Sequence, residues 1–295
     1  MIKLILCIVG PTGVGKTKLS IMLAKKYNAV VINADACQIY KGMDIGTAKV
    51  TREEKEGVYH YLFDIKNPDE EYTVYDYQKD LRELLYRYSS SNIIIVGGSG
   101  LYLTAGLYDY EFSPKEVKNL EEFSNEELFD MCKDIDEDVS IHPNNRRRLE
   151  NYLENTTHNI KEPKLLYEDA CFIGLTTDTN TLYERINLRV DNMFEQGLIE
   201  EVRNLKNTYG KTKILGSAIG YKEIIDHIDE KLSLEEAVKL IETIKQNSRH
   251  YAKRQYTWFN NKMDVTWFNT DYSNFDNTYN EVVKYIEERY GKNRE

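Results

Sequence analysis

The run Gly10-Pro11-Thr12-Gly13-Val14-Gly15-Lys16-Thr17 has the residue types and spacing of a phosphate cradle, G-x-x-x-x-G-K-[ST]. Its glycines let main-chain N–H groups converge on an anion. Lys16 adds a mobile positive charge, and Thr17 offers a hydroxyl to a Mg²⁺ bridging phosphate oxygens. The apolar stretch Lys3–Val9 precedes the run and the helical stretch Lys18–Tyr27 follows it, so a helix dipole points at the same spot. Such a loop holds a group carrying a di- or triphosphate. Alone it leaves the reaction open.

The elements that must position this loop follow from hydrophobic periodicity. Strand-like runs Leu4–Val9, Ala29–Asn33 and Asn92–Val96 alternate with helical stretches Lys18–Tyr27 and Val74–Tyr88. That alternation predicts an α/β fold, a P-loop NTPase-like parallel sheet flanked by helices, with ligands outside the carboxyl ends of the strands. Each run ends in a candidate site: Gly10 onward, Asp35, and Gly97-Gly98-Ser99-Gly100. Residues 112–167 are rich in Glu, Lys and Asn and lack strand-like runs, which reads as a small helical insertion domain within a core of 1–111 and 168–295. Cys171–Leu175 restores a strand. A helical C-terminal region follows: Thr181–Gln196, Ile199–Thr208, Ser217–Ile228, about Ser233–Trp258, and a last amphipathic helix near Tyr279–Tyr290.

Composition excludes several classes. No stretch approaches the roughly 20 apolar residues of a membrane span. Met1–Val9 leads directly into the loop, so it does not read as a cleaved leader. Cys7, Cys37, Cys132 and Cys171 lie far apart without a C-x-x-C pair, against a disulfide framework or zinc module and in keeping with a reducing cytoplasm. The net charge of −10 disfavours a nucleic-acid partner only superficially, because a local basic stripe binds phosphates on an acidic protein.

What accompanies the loop narrows the chemistry. A hydrolytic P-loop enzyme carries a Mg²⁺-holding carboxylate at the end of a second apolar strand, whereas Ile93–Val96 ends in Gly97-Gly98. Asn261-Lys262-Met263-Asp264 matches the guanine-reading N-K-x-D, but it follows a helix and no D-x-x-G accompanies it. A transferase whose loop grips a leaving group fits better than a triphosphatase.

From Asp35 the chain runs Asp35-Ala36-Cys37-Gln38-Ile39-Tyr40-Lys41-Gly42-Met43-Asp44-Ile45-Gly46-Thr47-Ala48-Lys49. This resembles the tRNA dimethylallyltransferases (tRNA isopentenyltransferases), whose pattern here is D-S-x-Q-x-Y-x-G-M-D-I-G-T-A-K. The resemblance continues, in the family's order, through His60–Asp64, Val96–Tyr102, Ile141–Asn144, Met193–Leu198, Ala218–Glu223 and Lys253–Phe259.

The resemblance implies transfer of the dimethylallyl group from dimethylallyl diphosphate to N6 of adenosine 37, beside a tRNA anticodon, with Mg²⁺ as cofactor. On this reading the cradle, Lys16, Thr17 and Mg²⁺ stabilise the departing diphosphate. Asp35 is the base that takes the N6 proton, in preference to a helix N-cap or an outer carboxylate of Mg²⁺. Ser99 stands where the family has Thr and keeps its hydroxyl. Arg189 matches a family arginine placed at the diphosphate, with Arg185 one turn earlier. The implied tRNA contacts are Asp35, Ala36, Cys37, Gln38, Lys118, Arg147, Arg148, Ser217, Gly220, Tyr221, Lys222, Lys253, Arg254 and Gln255.

Two basic patches suit an anticodon stem-loop: Arg146-Arg147-Arg148 in the insertion, and Lys245, Arg249 and Lys253 at i, i+4, i+8 on the long C-terminal helix, with Tyr251, Tyr256, Trp258 and Phe259 interleaved. Departures from the family pattern fall at Asn145, Asn151 and Asn260, outside the chemical centre. The expected protein is a cytoplasmic monomer without a membrane partner. Prenylation of free AMP, ADP or ATP, a small-molecule kinase, and a non-catalytic RNA-binding P-loop protein are the alternatives.

Overall fold

The computed structural model describes residues 4–112, 116, 118–155, 163–228 and 233–291. The chain divides into two compact units, Met1–Leu107 with Tyr167–Glu295, and Tyr108–Leu166.

The larger unit begins with β1 (Ile5–Val9), α1 (Lys16–Tyr27), β2 (Ala29–Asn33), β3 (His60–Tyr61), α2 (Val74–Arg87), β4 (Asn92–Val96) and α3 (Gly100–Leu107). All pairings of its six-stranded sheet are parallel, in the order β3-β2-β4-β1-β5-β6. The central strands are short, β-branched and almost wholly buried, as a sheet covered on both faces requires. Strand β1 pairs with β4 on one side and with β5 on the other. The loops after β1, β2 and β4 therefore gather at the carboxyl edge of the sheet, where open α/β sheets hold their ligands.

Helix α1 follows the cradle, with Gly15 as a left-handed N-cap that supplies no side-chain acceptor. Helix α2 starts from a capping box, Thr73 with Asp76, and buries Tyr77, Leu81, Leu84 and Leu85 on one face. It packs against α3.

The smaller unit holds α4 (Asn125–Ile135) and α5 (Arg146–Glu154), which enclose their own apolar cluster of Leu120, Leu128, Cys132, Leu149 and Leu153. The larger unit resumes with β5 (Ala170–Thr176), α6 (Thr179–Glu195), α7 (Leu198–Tyr209), the single turn α8 (Lys222–Ile225), α9 (Leu234–Lys262), β6 (Val265–Asn269) and α10 (Phe275–Gly291). Helix α10 packs on α1, and its Val282, Val283, Ile286 and Tyr290 complete the core over β1 and β5. Among the described residues no helix is long and apolar enough to cross a membrane.

The structure corrects the sequence reading in four places. Ser217–Ile228 is not a continuous helix: Gly220 takes φ +91°, and only Lys222–Ile225 is helical. Strands β3 and β6 and helix α3 lack a sequence signal. Helix α3 is apolar nearly all round, so it shows no periodicity, and β6 is a half-buried edge strand. The first residues of the Lys3–Val9 and Met1–Val9 stretches lie outside the described residues.

Candidate active site

A cleft of about 650 Å³ opens at the carboxyl edge of the sheet in the larger unit. Lys16 and Thr17 from the cradle, Asp35 from the β2 end and Arg189 from α6 all line it. An apolar wall of Ile186, Val190, Met193 and Ile219 completes the enclosure.

The cradle is shaped by its glycines: Gly10, Gly13 and Gly15 all have positive φ, between +88° and +131°. Thr17 is exposed at the start of α1. Lys16 folds back so that its Nζ donates to the Pro11 carbonyl at 2.6 Å. Burial, and secondarily the nearby Arg189, push the Lys16 ammonium down to about 7, while Asp35 acts in the opposite sense. Val14 belongs to the loop only through its main chain, since its side chain is buried in the sheet core.

Asp35 is held by its neighbour Asn33, a fully buried residue at the end of β2. The Asn33 amide donates to the carbonyls of Asp35 and Leu62 at 2.9 Å each, and its Oδ1 accepts from the Asp35 N–H at 2.9 Å. Asp35 Oδ1 accepts from the Cys37 N–H at 2.9 Å. This resembles an Asx turn and orients the carboxyl group without a helix to cap. Burial raises the Cys37 thiol beyond its ordinary range, with Asp35 adding to the effect, so it stays protonated beside the carboxylate.

Arg189 donates through Nη2 to the Thr47 carbonyl at 2.9 Å, and Gln38 Nε2 donates to the same oxygen at 3.1 Å. Burial lowers the guanidinium pKa, and Asp35 works against that. Arg185 lies over the Tyr272 ring at 3.9 Å and donates to the Gly13 carbonyl at 3.0 Å. Both arginines thus converge on loops that bound the cleft.

Ser99 differs from a simple diphosphate ligand. Its Oγ accepts from the Ala36 N–H at 3.1 Å, which ties the β4 end to the Asp35 segment. Burial and Asp35 raise the Tyr251 pKa, so its hydroxyl remains protonated. At the β4 end, Gly97 lies directly against β2: a Cβ there would stand 2.1 Å from the Ala34 carbonyl oxygen.

Among the expected tRNA contacts, Ser217, Gly220, Lys222 and Arg254 line the cleft, and Lys253 is exposed. Tyr221 and Gln255 are buried side chains with partners inside the protein. Tyr221 is wholly buried, and its hydroxyl donates to Glu201. Gln255 is buried with its amide bound to two site loops, accepting from Thr12 N–H and donating to the Gly98 carbonyl. Gln255 lines the cleft with both ends of its amide engaged, whereas the Tyr221 hydroxyl is held by Glu201.

The basic stripe on α9 is likewise shorter than its spacing suggests. Lys245 pairs with Asp191 and Glu242, and Arg249 donates to Asn187 on α6. In the smaller unit Lys118 donates to the Leu153 carbonyl near the end of α5, and Arg146 to the Leu120 and Phe123 carbonyls. Arg147 and Arg148 are exposed on the first turn of α5, which Asn145 caps. No sequence motif marks the Thr47 carbonyl or the Tyr251 hydroxyl, since a main-chain acceptor and one of 23 tyrosines carry no distinguishing signal.

The family described as IPP transferase matches residues 38–262 of this chain. A tRNA dimethylallyltransferase of Anoxybacillus flavithermus is 46% identical over 305 aligned residues, covering 97% of each chain. The solved tRNA isopentenylpyrophosphate transferase of Bacillus halodurans is 39% identical, with a TM-score of 0.75 over 99% of this chain and 98% of that one. A eukaryotic dimethylallyltransferase caught acting on tRNA is 26% identical, with a TM-score of 0.83 over 100% of this chain and 81% of the other.

Proposed function

The chain belongs to the IPP transferase family, and we propose that it transfers the dimethylallyl group of dimethylallyl diphosphate to N6 of adenosine 37 in tRNA. The observation that carries the residue assignments is the convergence of Lys16, Thr17, Asp35 and Arg189 on one cleft with an apolar wall. Phosphate grip, proton acceptor and hydrocarbon surface are the three things this reaction needs in one place.

Dimethylallyl diphosphate sits with its diphosphate on Gly10–Thr17 and its five-carbon tail against Ile186, Val190, Met193 and Ile219. The bond from the allylic carbon to the bridging oxygen breaks, and the electron pair leaves with the diphosphate. The N6 lone pair forms the new C–N bond, and the N6 proton passes to the Asp35 carboxylate. Lys16 and Arg189 stabilise the charge that builds on the leaving group, because fixed donors in a poorly solvated cleft need no reorganisation as it develops.

The donor set suits Mg²⁺ only together with substrate. Among the described residues no group of three His, Cys, Asp or Glu side chains could hold a metal unaided. The exposed Thr17 hydroxyl beside an uncapped helix N-terminus fits an ion that keeps most of its ligands as water and phosphate oxygens. When bound, Mg²⁺ would neutralise diphosphate charge.

For tRNA we assign Arg254, Lys253, Lys222, Ser217 and Gly220 on the larger unit, and Arg147, Arg148 and Lys118 on the smaller, with Ala36, Cys37 and Gln38 beside the target base. The anticodon stem-loop is the partner on this reading, and the protein acts as a cytoplasmic monomer.

Incubation with dimethylallyl diphosphate, Mg²⁺ and an anticodon stem-loop, followed by nucleoside mass spectrometry, tests the assignment. N6-alkylated adenosine in the RNA is the expected product. Alkylation of free AMP in preference to RNA would overturn it.

A further inference from the structure

We propose that Glu201 on α7 is a positioning residue for the transfer, acting through the Thr47 carbonyl on Arg189 and Gln38. The proposal rests on the diphosphate role of Arg189 proposed above.

The segment between β2 and β3 makes a turn whose three successive amides all point at one carboxylate. Asp44 N–H and Ile45 N–H donate to Glu201 Oε2 at 3.1 and 2.8 Å, and Gly46 N–H donates to Oε1 at 3.1 Å. The Tyr221 hydroxyl adds a fourth donor to Oε1 at 2.5 Å. Consecutive amides arranged in this way form a concave nest of the kind that binds anions. Here the anion is a side chain of the protein itself, delivered from α7, about 155 residues further along the chain.

The nest is braced by packing. Tyr221 is fully buried, and a Cβ on Gly46 would fall 2.5 Å from its ring, so the loop lies directly against the ring that also carries the fourth donor. A side chain at position 46 would lift the turn off the ring and away from the carboxylate.

Thr47 is the next residue. Its hydroxyl donates to the Met43 carbonyl at 2.7 Å and closes the turn, while its own carbonyl oxygen projects toward the cleft wall and accepts from both Arg189 and Gln38. One oxygen atom therefore sets the place of the guanidinium assigned to the leaving group and of the amide beside Asp35. Arg189 has no ion-pair partner among the described residues to hold it otherwise, since the salt bridges of α6 go through Asp191. If the turn is released, Arg189 loses its acceptor and the reacting groups lose alignment. Misplacement of this kind, on the order of 1 Å, costs about 10²-fold in rate.

The experiment combines single-turnover transfer to an anticodon stem-loop with calorimetric binding of inorganic pyrophosphate. It uses Glu201→Ala, Tyr221→Phe and Arg189→Ala, and both double variants with Arg189→Ala. Glu201→Ala is expected to slow transfer by roughly 10- to 100-fold at saturating substrates and to weaken pyrophosphate binding, with the KM for RNA changed less than about twofold. In the Arg189→Ala background the same substitution should cost less than about twofold more, because the group it positions is already gone. Tyr221→Phe keeps the ring against Gly46 and should show the same pattern at smaller size. It carries the test if Glu201→Ala does not fold.

Unchanged transfer in Glu201→Ala overturns the proposal, as does an undiminished loss in the Arg189→Ala background. If Glu201→Ala is unfolded, Tyr221→Phe with wild-type rate overturns it. A wild-type protein that alkylates no RNA would instead defeat the functional reading, and the pyrophosphate cycle would still decide whether Glu201 acts through Arg189.

Discussion

The Gln255 side chain bridges two loops of the cleft, accepting from the Thr12 N–H at 2.9 Å and donating to the Gly98 carbonyl at 3.1 Å. It emerges from α9 between Arg254, which is exposed, and Tyr256. The helix that presents Lys253 and Arg254 outward is thus bonded inward to the phosphate cradle.

Replacing Gln255 by Leu leaves the Thr12 N–H and the Gly98 carbonyl without their partner in a buried setting. Stability should fall by about 1–3 kcal/mol, measured by denaturant unfolding. Pyrophosphate binding should weaken together with it. Gln255→Glu should be worse, since a carboxylate accepts from Thr12 but repels the Gly98 oxygen. Pyrophosphate affinity equal to wild type in Gln255→Leu would show that the brace has no part in shaping the cradle.

Asp35→Asn keeps the acceptor that Cys37 N–H uses, and removes the capacity to take a proton together with the charge that favours the ionised Lys16 and Arg189. Single-turnover alkylation should drop by about 10²–10⁴-fold. Affinity for the stem-loop, read by filter binding, should stay within about twofold. Near-normal turnover by this variant would remove Asp35 from the role of base.

The Lys16 ammonium, pushed down to about 7 by burial and by Arg189, makes donor binding pH-dependent. A bound diphosphate favours the charged form and raises the pKa, so above pH 7 binding takes up a proton. Affinity for dimethylallyl diphosphate should therefore fall as pH rises between about 7.5 and 9, approaching roughly tenfold per unit. Lys16→Arg, which stays charged, should flatten that slope in the same titration. An equal slope in both proteins would place the titrating group elsewhere.

Salt dependence separates free cations from engaged ones. Arg147 and Arg148 are exposed, whereas Lys245 is paired with Asp191 and Glu242. Removing both arginines should reduce the slope of log affinity for tRNA against log salt by about 1–2. Lys245→Ala should leave that slope unchanged. The reverse pattern would move the RNA path from the smaller unit to the middle of α9.

The β1, β2, β4 and β5 strands are legible in the sequence because each is a short apolar run followed by a polar or glycine-rich break. The cradle and Asp35 are legible because their chemistry depends on residue type at fixed spacing. Three kinds of feature are not. Helix α3 hides because it is apolar on every side. The direction in which Gln255 and Tyr221 face hides because a motif fixes identity and leaves orientation to tertiary packing. The Thr47 acceptor hides because every residue has a carbonyl, and only the folded turn singles out this one.

The close approach of Gly97 to β2 bears on what this scaffold can become. Position 97 follows the strand where triphosphate-hydrolysing relatives of the fold keep an acidic side chain for their metal. Here the Ala34 carbonyl oxygen lies 2.1 Å from where any Cβ would begin. An acidic side chain at position 97 would require the paired ends of β2 and β4 to move apart. Main chain alone thus keeps a metal-holding acid out of the place beside the phosphate clasp that the strand end would otherwise offer.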